Sequence, residues 1–170
     1  GRLGLRLYGR GGVAVISFSV DLAGLLVQGE RFVEDVQRGM LGVVQEAALD
    51  GAEHARQVGQ FKDHSGADGL RQSIRVRPAR RIAEGAEGSF GTDKPYAPAV
   101  EGGQKPHVIE ARRRRSLCWE QGGEIRYARL VHHPGAAAKP FMGPGALKAE
   151  AALYARTERH VAGAIGRAGR

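Results

Sequence analysis

A helical repeat of apolar residues between Glu30 and about Gln60 constrains the fold more than any other feature of this chain. The repeat advances by steps of three or four, which places its members on one face of an amphipathic helix. These members are Phe32, Val36, Met40, Val43, Ala47, Gly51, Ala55 and Val58. The four glycines in this stretch each cost about 1 kcal/mol of helix propensity relative to alanine. We therefore expect close packing against another element to hold this helix.

After this helix the residue pattern changes from a helical period to alternation. LRQSIRVRP (70–78) nearly alternates apolar with polar residues, which predicts a half-buried strand closed by Pro78. EGSFGT (87–92) predicts its partner. HVIEARRRRSLCW (107–119) and EIRYARLV (124–131) predict two further strands. DKPYAPAVEGGQKP (93–106) is too rich in proline and glycine for regular structure and predicts a long, shaped loop.

A second helix is predicted at the C-terminal end, where Pro144 suits a first helical turn. Its predicted apolar stripe comprises Leu147, Ala151, Tyr154, Val161 and Ile165. The order of elements predicts an α+β fold: a mostly antiparallel sheet of about four strands, with a long N-terminal helix and a C-terminal helix packed on one face. We assign residues 21–170 to a single domain and residues 1–20 to a flexible N-terminal arm.

The composition predicts a thin core and a positive potential. Hydrophobic residues make up 42% of the chain but aromatic residues only 6%, so small and medium aliphatic side chains must fill the interior. The net charge is +8, and its excess lies in the central and C-terminal parts of the chain, which favours polyanions as partners. With Cys118 as the one cysteine, an internal disulfide is excluded. No apolar run reaches the roughly 20 residues that a bilayer requires, so we expect no membrane partner.

Two groups of residues invite a catalytic or metal interpretation, and both have unsuitable geometry. His132 and His133, with His107 and Glu101 as further candidate ligands, are adjacent in a predicted strand, where neighbouring side chains point to opposite faces. Asp63–Ser65 contains an Asp, a His and a Ser, but consecutive residues do not give the geometry of a catalytic triad. The sequence therefore predicts a protein that is not an enzyme and holds no cofactor or metal.

The most concentrated charge in the chain is the basic turn Arg112–Arg115. Two interpretations stay open: a solvated hairpin, or a surface that faces nucleic acid, where each neutralised phosphate adds salt-dependent affinity. Modules that bind single-stranded RNA add exposed aromatic residues for base stacking, and Tyr96, Trp119 and Tyr127 are the aromatic residues near the basic strands. A basic nucleic-acid-binding module is thus the alternative function.

Four segments, in this order, resemble the motifs of one protein family. They are the loop FKDHSGADGLRQSI, the tyrosine loop GTDKPYAPAVEGG, the strand PHVIEARRRRSLCW and the ending HPGAAAKPFMGPGAL. The ending combines a His-Pro-Gly turn with a Pro-Phe anchor that precedes a helix. Together these segments resemble the tail-completion and head-tail joining proteins of long-tailed, siphovirus-type bacteriophages. The matches cover about residues 30–168.

The resemblance implies a structural virion protein without a cofactor, assembled in the host cytoplasm and located in the neck of the phage. Such proteins form a ring, commonly a homohexamer, between the head connector or stopper protein and the tail terminator or tail tube protein, and genomic DNA passes through the ring. The resemblance implies contacts with copies or neighbours at Tyr96, Glu101, His133, Pro134, Gly135, Pro140 and Phe141, with Phe141 also a buried anchor. It leaves the turn of Arg112, Arg113, Arg114 and Arg115 facing either the DNA channel or a protein partner.

Overall fold

The fold is α+β, as the sequence predicts. The structure is a computed structural model that describes residues 3–10, 13–21, 30–63, 69–83, 85–112 and 114–168. The elements in these ranges are, in chain order, β1 (Leu3–Arg10), β2 (Val13–Asp21), α1 (Glu30–Val58), α2 (Leu70–Ser73), β3 (Arg75–Ile82), β4 (Gly85–Thr92), α3 (Ala97–Gly102), β5 (His107–Glu110), β6 (Leu117–Gln121), β7 (Glu124–Ala128), β8 (Leu130–His133) and α4 (Met142–Ala168). None of the helices in the described ranges is long and apolar enough to cross a bilayer.

Helix α1 buries most of its predicted stripe and packs along α4. The two helices approach each other closely where Gly51 meets Gly145. A Cβ atom at Gly51 would lie 2.7 Å from Cβ of Ala149 and 2.8 Å from the carbonyl oxygen of Gly145. A larger residue would therefore force the helices apart. The helix stability lost by having glycine here is offset by the close packing that glycine permits, as the sequence indicated.

A four-stranded antiparallel sheet in the order β1-β2-β4-β3 lies against these helices. The α1 helix crosses β3 and β4, and α4 reaches β2. The central strand β4 carries Phe90, which is fully buried and reaches the α1–α4 crossing, where its ring would touch a Cβ atom at Gly51. Both helices therefore cover the same face of the sheet, and the core lies between the two layers.

Strand β3 forms one edge of the sheet and contains a register shift between Arg77 and Arg80. Pro78 is tolerated here because an edge strand does not need every N–H for the ladder. A side chain of α1 supplies a hydrogen-bond acceptor to the irregular backbone here: the N–H of Ala79 donates to Oε1 of Gln45 at 2.6 Å. Gln45 of α1 thus fixes the edge strand to the helix layer.

Residues 103–140 form an excursion from this core, which we call the arm. It consists of two antiparallel ribbons, β5 paired with β8 and β6 paired with β7. None of the described residues of the arm is buried. Its large apolar side chains with the greatest exposure are Val108, Ile109, Ile125, Tyr127 and Leu130.

Several local predictions differ from the structure. The predicted strand 70–78 begins as the short helix α2, because Asp63 binds its first N–H groups, and only β3 is extended. The two later predicted strands are each divided in two, the first into β5 and β6 and the second into β7 and β8, and they pair in the arm and not in the main sheet. The proline-rich loop 93–106 contains the short helix α3, which Pro98 favours at its start.

The two remaining differences concern the chain ends. Residues 1–20 were predicted as a separate, flexible N-terminal arm. Their described parts form β1 and β2, and β2 pairs with β4. Alternation of apolar residues in LGLRLY and VAVISFSV is the physical reason. In α4, most of the predicted stripe is exposed, with only Val161 partly buried, and the buried face is built from alanines and Leu153 instead.

Candidate functional site

Three segments that are far apart in sequence meet at the start of α4. They are the end of α1 with Phe61, the α3 turn with Glu101, and the segment that leads to Phe141. We call this meeting point the corner. Each of the three segments belongs to a different one of the motif loops on which the family resemblance depends. The motifs are thus joined in space as well as ordered in sequence.

The carboxylate of Glu101 binds the exposed N–H groups at the start of α4. Its Oε2 accepts the N–H of Phe141 at 2.7 Å and that of Met142 at 2.9 Å, and its Oε1 accepts the N–H of Gly143 at 2.9 Å. These N–H groups have no partner inside the helix, and the helix start carries partial positive charge. A single carboxylate therefore satisfies three donors and fixes α3 to α4.

Phe141 anchors the corner from inside. Its side chain is fully buried, and its ring meets the ring of Phe61 edge to face, with 5.0 Å between centroids. The guanidinium of Arg71 lies 5.0 Å from the centroid of the Phe61 ring. Nη2 of Arg71 also donates to the carbonyl oxygen of Gly59 at 2.9 Å. Apolar burial thus holds the segment after α1 against the segment before α4, and the cation–π contact joins α2 to the same ring.

Asp63 fixes the loop that follows α1. Its Oδ1 accepts the N–H of Leu70 at 2.9 Å, and its Oδ2 accepts the N–H of Arg71 at 2.8 Å. A Cβ atom at Gly69 would overlap this carboxylate, which explains the glycine. Asp63 is therefore engaged by backbone groups. The other two residues considered for a triad, His64 and Ser65, lie outside the described residues.

The base of the arm is closed by a pair of glycines in left-handed backbone conformations. Gly103 has φ 74° and Gly135 has φ 87°. Between them, the N–H groups of Gln104 and Ala136 donate to each other's carbonyl oxygens at 2.8 and 2.9 Å. A Cβ atom at Gly135 would overlap the carbonyl oxygen of Gln104. The His-Pro-Gly turn thus requires glycine so that the two strands of the arm can approach where they leave the corner.

The histidines of the arm have structural neighbours. His107 and His133 are cross-strand partners in β5 and β8, with ring centroids 5.0 Å apart. Nδ1 of His133 accepts the N–H of Gly135 at 3.1 Å, which ties the ring to the turn. His132 is exposed and opposite Val108 in the register. Among the described residues, no group of three or more His, Cys, Asp or Glu side chains has the arrangement of a metal site.

The basic turn surrounds an open cavity of about 510 Å³ in the arm. Arg112, Arg114 and Arg115 are exposed at this cavity, and Tyr127, 67% exposed, also lines it. Arg113 lies outside the described residues. Guanidinium groups bind phosphate oxygens, and an exposed aromatic ring can stack on a base. The cavity therefore has the chemistry to contact a polyanion.

A second open cavity, of about 450 Å³, lies beside the corner. Phe61 and Val100 contribute apolar surface to its lining, and the lining also includes Lys62, Lys139 and Tyr96. Tyr96 is 43% exposed. This cavity is an apolar recess with two cations, a suitable surface for contact with another protein.

The helix layer is held by a cross-helix ion pair near the middle of α1. Nη1 of Arg156 lies 2.6 Å from Oδ2 of Asp50, and Nε lies 2.9 Å from Oε2 of Glu46. The hydrogen bond to Glu46 raises the pKa of Arg156 above its ordinary value, partial burial opposes this, and Asp50 adds to the rise. These contacts fix α4 along α1 beyond the glycine crossing.

The seven predicted contact residues fall into three groups. Glu101 and Phe141 are engaged inside the subunit, as the cap and the anchor of α4. Tyr96, Pro134 and Pro140 are exposed around the corner and remain open to neighbours. Of the remaining two, His133 and Gly135 form the arm base.

Sequence reasoning missed the roles of Phe61, Asp63 and Arg71 in the corner. One signal could have found two of them. Phe61 and Asp63 stand just past the end of a long helix, before a glycine-rich loop, where an aromatic anchor and an acidic cap are common uses of such residues.

No protein-family model, curated protein or solved structure matches the chain.

Proposed function

We propose that this chain is a structural subunit of a bacteriophage head-tail junction. Copies of it form a ring that joins the head connector to the end of the tail and surrounds the DNA channel. The observation that supports this most is the corner, because three loops with the family's motifs meet there through Glu101, Phe61 and Phe141. The role is mechanical, so no residue is assigned to catalysis.

The corner gives a physical reason for ring formation. It fixes the angle between α4 and the arm through the Glu101 contacts, the buried Phe141 ring and the glycine pair at the arm base. A closed ring needs the same angle at every subunit, because identical head-to-tail contacts close only when the rotation per subunit is constant. A rigid corner therefore suits a ring, whereas a free hinge would give open chains or mixed sizes.

The proposal is tested by measuring the mass of the purified full-length chain and imaging it by electron microscopy. We expect closed rings of one size, with six copies as the number that the resemblance implies. Particles of the phage that encodes the chain should contain the same ring at the neck. A chain that stays monomeric at every accessible concentration and is absent from particles would contradict the proposal.

A second candidate function is a basic nucleic-acid-binding module, and the cavity of the basic turn favours it. Arg112, Arg114 and Arg115 present guanidinium groups next to the exposed ring of Tyr127. This function requires binding of free nucleic acid by the monomer, with an affinity that falls steeply as salt rises. A monomer with such salt-sensitive binding would favour the module, and a ring would favour the head-tail junction.

A further inference from the structure

The chain carries two exposed apolar surfaces, one before Phe141 in the sequence and one after it. The first is the arm, whose Ile125 and Tyr127 are 64% and 67% exposed. The second is the outer side of α4, where Leu147 is 67%, Tyr154 51% and Ile165 55% exposed. We call this second surface the α4 face; it comprises Leu147, Ala151, Tyr154, Glu158 and Ile165. Several exposed apolar residues aligned on one face of an element are typical of a contact with another molecule.

We propose that the arm of one copy docks on the α4 face of a neighbouring copy. This inference rests on the proposed ring function and names the contact that builds the ring. Because two different surfaces meet, the contact is of the head-to-tail kind, which produces a closed ring when the rotation per subunit closes. Each subunit then offers one arm and one α4 face, and both are covered when the ring closes.

The two surfaces match in length. From Leu147 to Ile165 the α4 face advances 18 positions, which is about 27 Å at about 1.5 Å per helical residue. The arm ribbons contribute four-residue β5 and five-residue β6, which together span about 30 Å at about 3.4 Å per strand residue. An extended arm can therefore lie along the whole α4 face.

The charges of the two surfaces favour this pairing over contact between arms. The arm contains eight basic and three acidic residues, a net charge of +5. Two arms side by side would bring like charges together. The α4 face carries Glu158 near its middle and Glu150 beside it, and neither forms an ion pair within the described part of the chain. These carboxylates are available to arginines of an incoming arm.

The charge pattern also sets the orientation of the arm. The helical period places Glu150 on one side of the α4 face and places Lys148 and Arg159 on the other side. The arginines that share a cavity with Tyr127 in an incoming arm are therefore directed towards Glu150 and away from the two cations. A contact with this polarity has a defined direction, as a ring contact requires.

The arm itself needs such a cover. A two-stranded ribbon is marginally stable at best in water, and further strands or packing against a helix are needed to stabilise it. None of the described arm residues is buried within the subunit. Helix α4 of a neighbour would supply the missing layer, since a helix packed on a ribbon buries one face of each.

Two double variants test the contact, each altering one surface at exposed positions. The α4-face variant carries Leu147→Arg and Tyr154→Arg, and the arm variant carries Ile125→Asp and Tyr127→Asp. Circular dichroism should show that both fold. We expect loss of the ring for each variant alone, measured by light scattering after gel filtration. An equimolar mixture should give a heterodimer, because one intact arm then meets one intact α4 face.

Leu49→Arg is the control, because Leu49 is 49% exposed but lies on α1, outside both surfaces. It should leave the ring intact. Rings that persist in the two double variants, or a mixture that stays monomeric, would overturn the docking inference while the ring function stands. Loss of the ring in the arm variant but not in the α4-face variant would mean that the arms contact each other and not the α4 face. A wild-type chain that never associates would contradict the ring function itself.

Discussion

The carboxylate of Glu101 accepts the backbone N–H of Phe141 at 2.7 Å, across a separation of 40 residues in sequence. The arm lies between these two residues, so this one contact closes the chain segment that contains it. The same carboxylate binds two further N–H groups, and the Phe141 side chain itself is fully buried. Polar and apolar anchoring thus coincide at the first turn of α4, and the direction of the helix relative to the arm is fixed there.

Glu101→Ala should lower the free energy of unfolding by about 1–2 kcal/mol, the usual cost of losing a helix cap. The change leaves three N–H groups at the start of α4 without their acceptor. Urea denaturation of the isolated chain measures this value. Glu101→Gln should recover part of the loss, because an amide oxygen still accepts a hydrogen bond but carries no charge to complement the helix dipole.

Glu110→Ala is the matched control for the cap, because Glu110 is an exposed glutamate in β5. Its replacement should change the free energy of unfolding by less than about 0.5 kcal/mol, as for ordinary surface positions. Equal effects of the two alanine variants would mean that the cap contributes no more than a surface carboxylate.

Phe141→Ala should lower the free energy of unfolding by about 3–5 kcal/mol, because it removes a fully buried ring and leaves a cavity beside Phe61. Thermal and urea denaturation of the variant measure the loss. Leu49→Ala serves as the comparison, since Leu49 is half exposed and its truncation opens no cavity. An unchanged melting temperature for Phe141→Ala would refute the anchor role.

Two glycines of α1 should respond to alanine in opposite directions. At Gly42 a Cβ atom would meet nothing within 4 Å, so Gly42→Ala should stabilise the protein by about 0.5–1 kcal/mol through helix propensity. At Gly51 the Cβ atom would collide with Ala149 and with the backbone of Gly145, so Gly51→Ala should destabilise by about 1–3 kcal/mol, as overpacking does. Denaturation midpoints of the pair give both signs, and stabilisation by both changes would argue against the tight crossing.

The period of α1 was predictable because its apolar residues are regularly spaced, its first turns carry the large residues Phe32, Val36 and Met40, and one face is buried for most of its length. The same reasoning assigned the wrong face of α4. There the larger residues, such as Leu147 and Tyr154, point outward, and Ala146 and Ala149 are buried. The close approach at Gly51 and Gly145 admits only small side chains between the helices, and hydrophobicity patterns give such residues little weight.

The corner could be predicted only in part. Pro140, Phe141 and the Pro-Gly step indicated a fixed entry into α4 from local chemistry alone. The partner of that helix start, Glu101, lies beyond the arm, and no local pattern indicates which carboxylate closes such a long segment. Pairing of strands had the same limit. Alternation predicted the arm strands, but burial in a sheet and exposure in a ribbon leave a similar sequence pattern.

The basic turn gives the last prediction, the triple change of Arg112, Arg114 and Arg115 to serine. All three side chains are exposed, so the melting temperature should stay within a few degrees of the wild type. Binding of duplex DNA to the full-length protein should become less sensitive to salt, because each lost phosphate contact reduces the slope of log affinity against log salt by about 0.9. Loss of all three contacts would reduce the slope by about 2.7.

The matched control replaces three exposed arginines of β3, Arg75, Arg77 and Arg81, with serine. Both triple variants lower the net charge by the same amount, so they differ only in where the charge is removed. If the cavity with Tyr127 is the DNA-facing surface, only the turn variant shows this reduction of the slope. Equal reductions of the slope in both variants would show that total charge governs binding. An unchanged slope in the turn variant would mean that these arginines bind a protein partner, for which Glu150 and Glu158 of a neighbouring α4 have the matching charge.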